Sequence, residues 1–337
     1  MRTLIVGIGA LGGTIATRAV SAGMPVWLAT RGAESARRLR SSGLRVSGVG
    51  GPATASSIHA SAVEDYAADR FDLILLATKA HDALEIAPFL SSLLTSGGTL
   101  LAIQNGGVSQ LLSDRLRGGV VLGGLSNLGA TMFEPGLYEQ RNAGHLLIGE
   151  IAGGFSERVA KVARALSGAV ETRVTANLRG AVWAKLLLNC SVTTIGAIAA
   201  QTMRQYMTSS AGREVFRRTY DEALSVALAN GTWPERMIVE PIPPGWQGTS
   251  APGIQPDTWI GQIIAAYGDL KPSMLQDFER HRRTEIDFLN GYVAQLGRQI
   301  GIPTAMNAAI TDLVQRIEQG QTKPHPARMD DLLRRVE

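Results

Sequence analysis

The stretch that decides the fold is TLIVGIGALGGTIATRAVSAG, Thr3 to Gly23. It begins as a short apolar run, turns on glycines, and continues with helical periodicity to Gly23. PVWLATR (Pro25 to Arg31) follows as a second apolar strand, so the segment reads as a βαβ unit with its glycines in the first strand-to-helix turn. Gly7, Gly9 and Gly12 form G-x-G-x-x-G in GIGALG. Alone that pattern is weak, since any glycine turn produces it. After a strand and at the opening of a helix it is the context of a dinucleotide cradle. The first glycine allows the tight turn, the second lets a pyrophosphate approach the backbone, and the third packs helix against strand. Helix N-terminal amides then face the phosphates. The reading places Gly7, Gly9, Ala10, Leu11 and Gly12 on a bound cofactor.

The end of the second strand bears on which cofactor. NAD sites usually place Asp or Glu there to accept from the ribose hydroxyls. This strand ends in LATRG, with Thr30 and Arg31 and no acid. A guanidinium suits a 2′-phosphate, so the expectation is NADP(H) with Arg31 as discriminator. The plainer alternative is an arginine that merely ends a strand.

Working outward, FDLILLATK (Phe71 to Lys79) is a continuous apolar run suited to a buried parallel strand. HDALEIAPFLSSLL reads as a helix, GTLLAIQNG as a strand entering a turn, and VVLGGLSNLGATM and GLYEQRNAGHLLIGE as further strand-like patches. This alternation predicts an α/β, Rossmann-type doubly wound domain over residues 1–170. From 171 to 337 the pattern changes. Segments near 154–168, 176–206, 209–230, 272–300 and 304–319 carry helical periodicity, predicting an all-α C-terminal domain. Gly231 to Trp259, rich in Pro, Gly and Trp, interrupts it as a long ordered loop or lid.

Composition narrows the class. The 337 residues carry a formal net charge of +4, but no Lys/Arg run is dense enough for a nucleic-acid footprint. ARRLR at Ala36 and RHRR at Arg280 read as solvated helix faces. One cysteine, Cys190, excludes a disulfide framework and reads as a small buried hydrophobe. No signal-peptide pattern or bilayer-length apolar run is evident, so the expectation is a soluble, cytoplasmic protein that binds no membrane. His81 and His281 sit on helix-like segments, and no His/Cys/Asp cluster has metal spacing, which predicts no metal.

Lysine is rare: Lys79, Lys161, Lys185, Lys271 and Lys323 stand against a majority of arginine. Only lysine of the two readily gives up a proton near neutral pH. In VWAKLLLNC (Val182 to Cys190), helical spacing puts Lys185 and Asn189 one turn apart on one face of an apolar segment. Such a lysine either snorkels to water or is held in a pocket to move a proton. TKAHD places Lys79, and QNGG places Asn105, just after buried strands, where open parallel sheets bind ligands. Asn105 also fits a plain turn. SMLQDFERHRRTEIDFLNG starts a helix near Ser273, a residue that also suits an N-cap, and carries Glu285 further along it. Glu285 beside Arg282 and Arg283 also fits a surface ion pair.

GIGALG, TKAHD, QNGG, WAKLLLNC and SMLQDFERHRRTEIDFLNG together make the chain resemble the ketopantoate reductase (2-dehydropantoate 2-reductase) family over nearly its whole length, in the family's order and at about its spacings. The last block is the most specific and the glycine motif the least. The resemblance implies NADPH-dependent reduction of a small 2-oxo acid, most directly 2-dehydropantoate to (R)-pantoate. It makes Lys185 the general acid that protonates the carbonyl oxygen and Glu285 its helper. Asn189, Thr193, Ser273 and Asn105 fall on the substrate, while Lys79, Asn105 and Glu285 fall near the cofactor. It also implies that the helical half serves substrate binding and dimerisation, a homodimer being compatible with this.

Two features depart from the family. Many members carry a second asparagine where this chain has Thr193, a shorter hydroxyl without an amide's reach. The 231–259 stretch is also longer and richer in Pro and Trp. Both fall on the substrate side and leave open a reductase of the same fold acting on a different 2-oxo acid. An opine-type dehydrogenase shares the architecture but not the blocks. A sensor of NADPH without turnover would need no Lys185/Glu285 pair.

Overall fold

Thr3–Val6 is buried at all four positions, as a strand covered on both faces must be. It forms β1 of an eight-stranded sheet. The computed structural model describes residues 1–248 and 257–336, and it divides into two compact units: Met1–Gln104 with Val108–Leu178, and Asn105–Gly107 with Arg179–Glu337.

The first unit contains β1 (Thr3–Val6), α1 (Ala10–Ser21), β2 (Val26–Thr30), α2 (Ala33–Ser42), β3 (Leu44–Gly48), β4 (Ala53–Ala55), β5 (His59–Ala62), β6 (Phe71–Leu76), α3 (Ala80–Ser92), β7 (Leu94–Ala102), α4 (Val108–Arg115), β8 (Val121–Ser126), β9 (Ala130–Glu134), β10 (Leu137–Gln140), β11 (Leu146–Glu150), α5 (Glu157–Leu166) and β12 (Thr172–Val174). The large sheet runs β12-β11-β8-β7-β6-β1-β2-β5. Its pairs are parallel except β11 with β8. The chain winds from β1 outward to β2 on one side and crosses to β6 on the other. That puts the topological switch point between β1 and β6, where doubly wound sheets bind ligands. Ile5, Leu28, Leu73, Leu75 and Leu101 interlock in its core.

Two features of this unit are not anticipated by periodicity. A second sheet, β4-β3-β10-β9, is built from three- to five-residue strands whose alternation is too brief to read. The large sheet also runs past residue 170, where the sequence suggested a boundary, because Thr172–Val174 pairs in parallel with β11.

The second unit contains α6 (Leu178–Leu188), α7 (Thr194–Ala199), α8 (Met203–Tyr206), α9 (Ser210–Ala229), α10 (Asp257–Tyr267), α11 (Ser273–Glu279), α12 (Asn290–Ile300), α13 (Ala305–Glu318) and α14 (Arg328–Val336). Leu187, Ile195, Phe216, Tyr220, Ile263 and Ile310 lie in its core. Between α6 and α7, Asn189–Thr193 form a π-helical turn, so the expected run over 176–206 is not one regular helix. Leu178–Ala199 is long and apolar enough to cross a membrane, contrary to the reading from composition. Yet 78% of its most apolar window is buried inside the protein, as in a core helix.

The expected helix over 272–300 is corrected as well. α11 stops at Glu279, His281 adopts a left-handed φ of 51°, and Glu285 precedes a short 3-10 turn, Ile286–Phe288. RHRR is thus a turn rather than a helix face, and Glu285 is not on the helix of Ser273. The chain turns at His281, where Arg282 N donates back to the Asp277 carbonyl at 2.9 Å; beyond it buried Thr284 donates its backbone N–H to the Glu318 carboxylate of α13 at 2.6 Å, and its hydroxyl accepts from Ile286 N at 3.2 Å. Of the Pro/Gly/Trp stretch, residues 249–256 lie outside the described residues, 232–248 have no helix or strand, and Trp259 belongs to α10.

Candidate active site

The glycine loop is shaped by contact as well as by flexibility. Gly7 sits at φ +94°, open at low cost only to glycine. A Cβ on Gly12 would lie 2.0 Å from the Gly7 carbonyl oxygen, so this residue must be glycine for α1 to start where it does. Around Gly9, by contrast, a Cβ would meet nothing within 4 Å. Gly9 is the N-cap of α1 and supplies no side-chain cap, leaving the helix's first amides available to an anion. The packed glycines form the turn, and the unpacked one keeps clear the space a pyrophosphate would enter. These residues fit a dinucleotide.

The sequence reading missed a support of this loop. Tyr138 of β10, fully buried, lies where a Cβ on Gly13 would be, 2.1 Å from its ring. Its hydroxyl donates to the Ile8 carbonyl at 3.3 Å and accepts from Gly136 N at 3.2 Å. Burial pushes its phenol up to about 12, so it stays a donor. The signal was present as a lone tyrosine in an alternating strand, but only the second sheet brings it to the loop.

At the carboxyl ends of the neighbouring strands, Lys79 is exposed and caps the start of α3. Gln104 follows β7 and donates from Nε2 to the carbonyls of Leu76 at 2.8 Å and Thr78 at 3.1 Å. Its Oε1 and the Thr78 hydroxyl are buried with no hydrogen-bond partner among the described residues, as polar atoms waiting for a ligand are. Arg31 is 85% exposed along its side chain and pairs with Asp82 of α3 at 2.7 Å.

The remaining candidates gather in the helical unit. Lys185, in α6, is half-buried. Loss of water lowers its pKa from the ordinary lysine range to about 8, while the negative charge of Glu285 pulls it back up. Lys185 and Glu285, a hundred residues apart in sequence, are therefore electrostatic neighbours. Asn105 enters by a close backbone approach: Gly106, at φ +71°, presses so near the Phe288 carbonyl that a Cβ would lie 1.9 Å from its oxygen. Gly107 N donates to the same oxygen at 3.4 Å. Asn105 thus stands beside the segment that carries Glu285.

Asn189 opens the π turn, and the Thr193 hydroxyl donates back to the Asn189 carbonyl at 3.0 Å. Ser273 is exposed and is the first residue of α11, with Pro272 as its N-cap, so the capping role read from sequence does not hold. Pro272 packs on Gly196 of α7, where a Cβ would meet its ring at 2.9 Å. That sets Ser273 near the turn after Thr193.

Comparison with known proteins gives the family. The family described as ketopantoate reductase PanE/ApbA matches residues 3–153, and its C-terminal counterpart matches residues 177–318. The chain belongs to the ketopantoate reductase family. It is an oxidoreductase acting on CH–OH groups with a nicotinamide cofactor. A 2-dehydropantoate 2-reductase of Pyrococcus horikoshii is 30% identical over 94% of this chain and 98% of that one. That of Halobacterium salinarum is 29% identical over 94% and 98%. Among solved structures, a PanE/ApbA family ketopantoate reductase from Ralstonia eutropha is similar at a TM-score of 0.80 with 26% identity, covering 95% of this chain and 99% of that one. D-mandelate dehydrogenase, solved with NADH and anilino(oxo)acetate, is similar in fold at 0.78 with 21% identity, covering 95% and 99%. The resemblance drawn from the five sequence blocks is the family the chain belongs to.

Proposed function

We propose that this reductase uses NADPH to convert 2-dehydropantoate to (R)-pantoate, the step that serves pantothenate and coenzyme A synthesis, as a soluble cytoplasmic enzyme. The observation that carries the reading is a half-buried lysine, Lys185, with its pKa brought down to about 8 beside a carboxylate, Glu285.

A nicotinamide dinucleotide, when bound, would supply the hydride that the carbonyl carbon takes up. The charge that then builds on oxygen needs a proton, and a donor near working pH gives it with the best driving force. Lys185 donates from Nζ, and Glu285 holds the ammonium in place and keeps enough of it protonated at neutral pH. Desolvation and carboxylate oppose each other, which is how an amine is poised between the lysine and neutral ranges. Asn189 and Asn105 offer amides to the substrate oxygens, and Ser273 a hydroxyl. Thr193, whose proton is committed to the Asn189 carbonyl, serves the substrate only as an acceptor. Lys79 and Arg31 place positive charge on the cofactor side. Arg31 would donate to the 2′-phosphate of NADPH in exchange for Asp82, an exposed pairing of the kind worth under about 1 kcal/mol.

A second reading, reduction of a different 2-oxo acid, is favoured by Thr193 and by the fold shared with D-mandelate dehydrogenase. We also propose a homodimer, in line with the similarly folded dimeric ketopantoate reductase from Staphylococcus aureus. A panel of 2-oxo acids, followed by NADPH oxidation with wild type and Lys185→Ala, separates the readings. Turnover of 2-dehydropantoate far above aryl and straight-chain analogues supports the first, and preference for an aryl 2-oxo acid supports the second. Wild-type rates in Lys185→Ala would remove both.

A further inference from the structure

The π-helical turn is the least ordinary backbone feature near the site. An α-helix passes each carbonyl to the amide four residues on, whereas here the Asn189 carbonyl accepts from Thr194 N, five residues on. The turn holds one residue more than an α-turn. Such turns are rare and sit often at functional sites.

In this chain side chains donate to carbonyls in and just before the turn. The Ser191 hydroxyl donates to the Leu187 carbonyl at 2.6 Å, and Thr193 to the Asn189 carbonyl at 3.0 Å. Two donors come from outside the helix. The Tyr206 hydroxyl, fully buried at the end of α8, donates to the Ser191 carbonyl at 2.8 Å. Asn290 Nδ2, at the start of α12, donates to the Cys190 carbonyl at 3.4 Å. Asn290 is itself held, since the same amide donates to Asn307 Oδ1 at 3.0 Å. Asn307 Nδ2 in turn donates to the Thr219 carbonyl at 3.1 Å and to the Glu222 carboxylate at 2.8 Å. A buried polar chain thus runs from α9 through α13 and α12 to the π turn.

We propose that Tyr206 and Asn290 are positioning residues of the reductase: by holding the carbonyls of Ser191 and Cys190, they keep the π turn wide, and that width fixes the Asn189 side chain relative to Lys185 one turn earlier. The inference rests on the reading of Lys185 and Asn189 as proton donor and substrate ligand. Its physical content is that a buried carbonyl without a donor is costly. Losing either outside donor lets the turn relax towards α-helical geometry, which rotates everything after Leu188 by a fraction of a turn. Asn189 then leaves its place even though no residue touching substrate has been changed.

Tyr206→Phe removes one hydroxyl and no packing volume. It is compared with wild type in NADPH oxidation for kcat and both KM values, with the melting temperature as a check of folding. The proposal expects the KM for the 2-oxo acid to rise about tenfold and kcat to fall, the size of one lost hydrogen bond to substrate. The KM for NADPH stays within about twofold, because no cofactor residue moves. Asn290→Ser, which shortens the donor, carries the same expectation and stands in if Tyr206→Phe does not fold. Wild-type kinetics in a folded variant would overturn the positioning role and leave the proposed function standing, as would equal rises in both KM values. Failure of wild type to turn over any 2-oxo acid would overturn the functional reading and this proposal with it.

Discussion

At the scale of single residues, the chemistry turns on how far Lys185 is withdrawn from water. Its ammonium is disfavoured in the folded chain and its pKa stands near 8, below the ordinary lysine value. The unfolded chain therefore binds more protons than the folded one between about 8 and 10.5. Stability attributable to this residue rises with pH through that window. Lys185→Met should accordingly gain stability over wild type most clearly at pH 7, with the gain shrinking as pH approaches 10, in denaturant melts at several pH values. Glu285→Gln should push the lysine pKa further down and lower kcat/KM at neutral pH by about 10². An unchanged rate would show that the carboxylate is a bystander. The two residues were legible in the sequence as types and positions. The family blocks paired them as well, but periodicity did not, because it set Glu285 along a helix that in fact stops at Glu279.

At the scale of elements, the glycines of the first turn separate by what surrounds them. Gly9→Ala meets open space and should leave the melting temperature within about 3 °C while raising the KM for NADPH at least tenfold. Gly12→Ala drives a Cβ into the Gly7 carbonyl and should cost several kcal/mol, about 3 or more, as overpacking against backbone does. Equal effects of the two on stability would contradict the cradle. In the helical unit, α13 has no side-chain cap of its own at Thr304. Instead Glu222 of α9 accepts from the backbone amides of Met306 at 2.8 Å and Asn307 at 2.9 Å. Burial raises its pKa, against those donors. Glu222→Ala should destabilise by about 2–3 kcal/mol, since it strips a cap and strands two buried amides, as read from urea melts. Strand β1, the glycine turn and α1 were readable because periods of 2 and 3.6 meet at a glycine. The π turn was not. VWAKLLLNCSVTTIGAI has one unbroken apolar period, and the outside donors to its turn, Tyr206 and Asn290, lie 15 and 100 residues from the carbonyls they hold.

At the scale of the whole molecule, the order of blocks carried the fold class and the family, since a βαβ start and a helical second half constrain the architecture strongly. The short second sheet and the strand at Thr172–Val174 escaped because three- to five-residue strands leave no periodic trace. Cofactor choice belongs at this scale too. NADPH in large excess should stabilise the folded chain by about 2.7 kcal/mol at a hundred times its Kd. NADH should do so less at equal concentration, and Arg31→Ala should abolish the difference. A variant that still prefers NADPH would move the discriminating role from Arg31 to another residue.

The most direct test of the account is kcat/KM for 2-dehydropantoate as a function of pH, measured with NADPH on wild type and Lys185→Ala. Lys185 must hold its proton to give it away, so wild-type kcat/KM should be level below neutrality and fall through a single ionisation near pH 8. The variant should be about 10²–10⁴ slower and lose that limb. A wild-type profile that passes flat through pH 8, or a variant with the wild-type limb intact, would contradict the assignment of Lys185 as the proton donor.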